Sequence, residues 1–123
     1  MGYRSDIAIK CREDAYKRLK ETADKHEIWP DKVFKEGEQQ NREFIMFWEN
    51  TKWDSSFEEV NALMAEMAKL NNEHQDGDRL SYTFVRIGND IDDIERLTND
   101  YSLKMGIIRQ IILPDEDKLV EPD

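Results

Sequence analysis

The chain has 123 residues and a formal net charge of −10, long enough to enclose one hydrophobic core and too short for two ordinary ones. Its residues are 38% hydrophobic and 37% charged, with no apolar run near the roughly 20 residues that span a bilayer, and its 10% aromatic content argues against disorder. The single cysteine, Cys11, excludes an internal disulfide; with an amino terminus that lacks the basic region and apolar stretch of a secretion signal, the expectation is a cytoplasmic protein.

Residues 3–12 alternate, with Tyr3, Ile7, Ile9 and Cys11 on one side and Arg4, Asp6, Lys10 and Arg12 on the other, which predicts a strand with one wet face. Glu13 and Asp14 then open a helical stretch in which Ala15, Leu19, Ala23 and His26 recur every three or four positions beside Tyr16. Acidic residues in its first turn and Lys25 and His26 in its last suit the helix dipole, and Pro30 closes the segment. Val33–Glu36 reads as a short strand, followed by a polar turn from Gly37 to Asn41. Glu43–Glu49 is apolar on both faces and rich in strand formers, as a central strand covered on at least one side would be.

Ser55-Ser56-Phe57-Glu58-Glu59 contains two overlapping Ser-x-x-Glu patterns, the signature of a helix start. Phe57, Val60, Leu63, Met64, Met67 and Leu70 trace one helical face up to Asn71-Asn72 and the Asp76-Gly77-Asp78 turn. Arg79–Ile87 alternates again, with Leu80, Tyr82 and Phe84 opposite Ser81, Thr83, Val85 and Ile87. Gly88-Asn89-Asp90 reads as a hairpin turn with a return arm from Ile91 to Leu97, and a further strand is expected over Gly106–Leu113.

The expected fold is therefore α+β, with two helices packed on one face of a mainly antiparallel sheet, in a ferredoxin-like βαββαβ plan extended by C-terminal strands. Residues 1–113 form the single domain, and residues 114–123 an acidic tail expected to fray.

Charge is distributed unevenly along the chain. Met1–Trp53 holds 11 Lys/Arg against 11 Asp/Glu, whereas Asp54–Asp123 holds 7 against 17, so the second part carries the whole excess. Such a field attracts basic partners and repels phosphate backbones. Asp90, Asp92, Asp93 and Glu95 form the densest carboxylate group, readable as a solvated hairpin arm, as a contact for a basic partner, or as a divalent-cation site. The spacing lacks the glycine and distal glutamate of a calcium loop, and on a strand Asp92 and Asp93 point to opposite faces.

Other chemistry finds less support. His26 and His74 sit at predicted helix ends among charged residues. Cys11 alternates with core positions, away from the exposed edge that a nucleophilic thiol needs. Lys10, Arg12, Lys17, Arg18, Lys20 and Lys25 make a locally basic stretch, but Glu13, Asp14, Glu21, Asp24 and Glu27 intersperse it and oppose nucleic acid. Phe44, Phe47, Trp48 and Trp53 fit a sheet core better than base stacking, and Met64 and Met67 a core better than a groove. No glycine-rich phosphate loop, nucleophile elbow or Cys-x-x-Cys pair occurs.

The opening Met1-Gly2-Tyr3-Arg4-Ser5-Asp6-Ile7-Ala8 resembles the start of a set of small, uncharacterised proteins of bacteriophages and prophages. The same set has a hydrophobic-Arg-Ile-Gly segment followed by acidic residues, here Phe84–Glu95, with Asn89 where a glutamate follows the glycine in the set. The resemblance implies a phage origin and compact α+β folding, and supplies no active site. Small acidic phage proteins without enzyme motifs often act by binding a host protein, including inhibitors of nucleic-acid-binding defence systems, and by analogy the resemblance implies such a role. The expectation is a non-enzymatic protein-binding module that docks on a basic host protein through Asp90, Asp92, Asp93 and Glu95, with no cofactor, no direct nucleic-acid contact and no membrane contact. The alternatives are a small metal-dependent enzyme using the same carboxylates and a protein that self-associates, as a homodimer, through an exposed strand edge.

Overall fold

The computed structural model of the chain describes residues 4–38, 42–54, 56–73, 79–88, 93–100, 103, 113–114 and 116–120. In chain order these form β1 (Arg4–Arg12), α1 (Glu13–Lys25), β2 (Lys32–Glu36), β3 (Glu43–Lys52), α2 (Glu58–Glu73), β4 (Tyr82–Ile87) and β5 (Ile94–Thr98), followed by a short 3-10 turn at Glu116–Lys118. The class is α+β, with two helices and a five-stranded antiparallel sheet in the order β2-β3-β1-β4-β5. A four-stranded βαββαβ sheet has no place for β5, which here pairs with β4 from Thr83↔Thr98 to Ile87↔Ile94. The strand expected over Gly106–Leu113 lies outside the described residues except for Leu113.

Alternation explains which way each strand faces. Ile7, Ile9 and Cys11 of β1, Phe44, Met46 and Trp48 of β3, and Tyr82 and Phe84 of β4 point to one side. There they meet Ala15, Leu19 and Ala23 of α1 and Leu63, Met67 and Leu70 of α2. Burying each large side chain of this kind contributes about 1.5–3 kcal/mol. The Trp48 indole N–H, which burial would otherwise strand, donates to the Ile28 carbonyl at 3.2 Å. Arg18 draws the helices together, donating to Glu66 at 2.9 Å and Glu73 at 2.8 Å.

The opposite face of β1 is not simply wet, as its alternating charges suggested. Ala8 is fully buried there with Phe34, Ile45, Phe47 and Val85, and Ile87, Leu113 and Leu119 pack against them. Arg4, Asp6, Lys10 and Arg12 frame Ala8 in the sequence, and a single small residue among them gave little hint of a second core. This arrangement accounts for the apolar residues on both faces of β3: the strand lies between β2 and β1 and is covered on both sides.

Local geometry departs from regularity at definable residues. The β1–β3 register shifts between Ser5↔Thr51 and Ile7↔Trp48, a bulge that places Asn50 in the left-handed region at φ 49°. Asp6 accepts the Asn50 N–H at 2.9 Å, and Arg4 donates to the Asn50 carbonyl at 2.9 Å. At the end of α1 His26 is the C-cap, Glu27 turns left-handed at φ 56°, and Ile28 N–H donates to the Ala23 carbonyl at 3.0 Å. Before α2 the Asp54 carboxylate accepts the Ser56 N–H at 2.9 Å, a bond that holds its pKa below the ordinary carboxylate value. Phe57, expected on the buried face of α2, precedes the first turn and is exposed.

The segment expected to fray is docked over residues 116–120. Phe34 and Leu119 form an antiparallel bridge, Val120 N–H donates to the Val33 carbonyl at 2.7 Å, and ion pairs join Lys32 to Glu116 at 3.5 Å and Lys118 to Glu36 at 3.3 Å. Leu119 supplies the apolar anchor that an acidic composition hides. No helix among the described residues is long and apolar enough to cross a membrane.

Candidate functional site

The described acids of the arm, Asp93 and Glu95, share a cation, Arg86 of β4. Its neighbour in register across β4 and β5 is Glu95, so both side chains rise from the same face of the sheet. Arg86 Nε donates to Glu95 Oε1 at 3.2 Å, Nη2 to Asp93 Oδ1 at 2.6 Å, and Nη1 to Asp93 Oδ2 at 3.3 Å. Nη1 also donates to the buried Ser5 hydroxyl at 3.1 Å, tying the fork to β1. The Asp93 contact is thus bidentate, the geometry in which a planar guanidinium binds a carboxylate best.

Gly88 makes that contact sterically possible. A Cβ on residue 88 would overlap the carboxyl of Asp93, while the Gly88 N–H donates to the Asp93 carbonyl at 2.7 Å. This bond closes the connection between β4 and β5, so the return arm begins at Ile94, three residues later than the tight turn at Gly88-Asn89-Asp90 implied. Arg86, Gly88, Asp93 and Glu95 are therefore parts of one clasp. Asp90 and Asp92 lie outside the described residues.

The electrostatics follow from two carboxylates sharing one guanidinium. The hydrogen bond from Arg86, followed by its charge, holds the Asp93 pKa below the ordinary carboxylate value, and Asp93 in turn raises that of Arg86. Asp93 and Glu95 side chains are 37% and 45% exposed against 20% for Arg86. The clasp keeps its cation inward, shows its anions outward and retains one net negative charge. Arg18 likewise joins two carboxylates between α1 and α2, but there Glu66, 16% exposed, lies deeper than Arg18 at 30%, and Glu73 faces outward.

The remaining candidates resolve into structure. Cys11 is fully buried in the helix-side core, where desolvation drives its pKa far up and removes the thiolate needed for nucleophilic attack. His26 caps α1, its backbone N–H donating to the Thr22 carbonyl at 3.0 Å, and His74 lies outside the described residues. Of the basic stretch, Arg18 is committed to α2 and Lys20 to Asp24 at 3.3 Å. Phe44, Phe47, Trp48 and Met67 are core, with Trp53 and Met64 packed against it. Among the described residues no three or more His, Cys, Asp or Glu side chains converge to hold a metal ion.

A feature that sequence reading did not single out lies at the other end of the sheet. Trp29, in the loop after α1, is 59% exposed, the most exposed large hydrophobic residue among those described. It borders a cleft of about 500 Å³ between α1, β2 and the docked C-terminal segment, within the size range of ligand-binding sites. The available signal was Trp29-Pro30, an aromatic residue with no place in the helical or strand alternation around it. Comparison of the chain with protein-family models, with curated proteins and with solved structures returned no match.

Proposed function

We propose that the protein is a non-enzymatic binding module that docks on a basic macromolecular surface and uses the β4–β5 hairpin as an acidic contact. The observation that carries this reading is the Arg86 clasp. A carboxylate has about four lone-pair sites, and the one guanidinium leaves Asp93 and Glu95 able to accept from a partner while holding them in place. Pre-ordering of this kind lowers the entropic cost of binding. The −10 net charge adds long-range attraction to the same class of partner.

The partner is a host protein whose Arg/Lys-rich groove serves nucleic acid, and the module occupies that groove in the host cytoplasm in place of the nucleic acid. The similarity of Met1–Ala8 and Phe84–Glu95 to small phage proteins supports this assignment. The β2-β3-β1-β4 order and its antiparallel pairing support reading the first four strands as a ferredoxin-like plan, with β5 added at the edge.

The test is capture from bacterial lysate on the immobilised protein at graded salt, beside a variant carrying Asp90→Asn, Asp92→Asn, Asp93→Asn and Glu95→Gln. The expected result is a nucleic-acid-binding protein retained by the wild type, released as salt rises and lost from the variant. Equal capture by the variant, or capture indifferent to salt, overturns the electrostatic reading. Circular dichroism checks that the variant is folded.

A further inference from the structure

We infer that the cleft beside Trp29 is a receptor for an arginine side chain of the basic partner, an inference that rests on the functional reading above while using a different part of the molecule. The Trp29 ring is both exposed and fixed. Its indole N–H donates to Asp24 Oδ1 at 2.9 Å, and Pro30 restricts the backbone that follows. A large aromatic face held open to solvent is the surface on which a guanidinium stacks, because the ring quadrupole attracts cations and the two groups are planar.

The lining of the cleft suits the rest of an arginine. Val33 and Met46 provide apolar lining for its three-carbon stem, and Tyr16, stacked on Phe44 with ring centroids 4.0 Å apart, provides one wall. At the rim stand Asp24 and Asp31 with Lys20 and Lys32, and Glu116 is paired to Lys32. The lining acids and bases balance; Asp24 accepts from Trp29 and pairs with Lys20 at 3.3 Å, and Asp31 accepts the Glu49 N–H at 2.7 Å, each carboxylate keeping further lone pairs for a donor. An anionic occupant is opposed by the −10 of the whole chain. A purely apolar occupant would take water from the rim carboxylates and offer no donor in return. An arginine supplies stem, plane and donors together.

The experiment is an NMR titration of the full chain with the amidated peptide Gly-Arg-Gly-Arg-Gly and with its twin in which both arginines are replaced by citrulline, a neutral isostere. The Trp29 indole N–H resonance, assigned as the one missing from Trp29→Phe, is followed at low salt. The expected result is a saturable shift with the arginine peptide only, with affinity falling roughly two- to fivefold in Trp29→Ala, the range of an exposed cation–π contact. Lys20→Gln should strengthen binding by removing a competing cation from the rim. An equal shift with the citrulline peptide, no shift with either, or weaker binding in Lys20→Gln overturns the inference. If the peptide leaves Trp29 unmoved while lysate capture still depends on the hairpin carboxylates, the cleft assignment falls alone. If the peptide binds beside Trp29 while capture ignores the hairpin, the function proposed for the acidic arm falls and the cleft assignment stands.

Discussion

One guanidinium clasping two carboxylates makes Arg86 the residue on which the acidic arm depends. Because the folded-state pKa of Asp93 is depressed, its contribution to stability is present above the unfolded value of about 3.9 and is lost as pH falls through the folded value. Asp93→Asn should therefore flatten the acid limb of the stability profile. Urea unfolding at about pH 5 and about pH 2.5 measures this, and equal acid losses in wild type and variant would show that the clasp does not stabilise the fold. The carboxylate group was legible in the sequence because the acids crowd together, but their counter-ion was not. Arg86 and Glu95 become neighbours only through the β4–β5 register, and the space for Asp93 depends on Gly88 lacking a side chain. Trp29 was missed for a related reason: periodicity finds residues that repeat, and a lone aromatic residue in a loop repeats with nothing.

At the scale of elements, both helices, β1 and β4 were visible as periodicities, β3 as an apolar run, and β2 and β5 through the turns beside them. Boundaries moved at several ends: β3 runs past Glu49 to Lys52, β4 begins at Tyr82 and not Arg79, and hydrogen bonds from Ser56 N–H to Asp54 and from Gly88 N–H to Asp93 precede α2 and β5. The C-terminal segment was misjudged because its composition is acidic while its anchoring is apolar and main-chain. Leu119 packs under β2, and the Val120 amide bonds to Val33. Leu119→Ala should cost about 1–2 kcal/mol, as expected for a partly buried leucine, and should speed amide exchange at Val120. Thermal unfolding and hydrogen exchange measure the two effects, and an unchanged melting temperature with unchanged exchange would show the docking to be energetically empty. The same substitution alters one wall of the Trp29 cleft, so element and site are coupled there.

For the molecule as a whole, the dominant quantity is the net charge of −10. The lopsided distribution along the chain was legible by counting, but its distribution in space was not. Glu66 and Glu73 from the acidic part neutralise Arg18 from the balanced part, and Glu116 meets Lys32. Sequence halves are thus mixed by folding; the Arg18 and Arg86 groups each hold two carboxylates to one cation, while Arg42 and Arg79 balance Glu13 and Asp14. Exposed ion pairs contribute about 0–1 kcal/mol each, whereas self-repulsion acts over every charge within a Debye length. The expected net effect is a melting temperature that rises as sodium chloride goes from about 10 to 200 mM. A fall over this range in differential scanning fluorimetry would show that the ion pairs outweigh the repulsion.

The central position of β1 has a consequence for how the chain is made. Translation delivers this strand first, yet its two sheet neighbours are β3 and β4, and the contact between Ser5 and Arg86 spans 81 positions. A nascent chain therefore holds Ile7 and Ile9 without their full complement of neighbours until β4 has emerged. Closing loops of that length before native contacts can compensate them makes for slow folding. Ribosomes stalled before β4 would carry chains whose β1 is still open to the wrong company, so demand for chaperone protection should be greatest before β4 emerges.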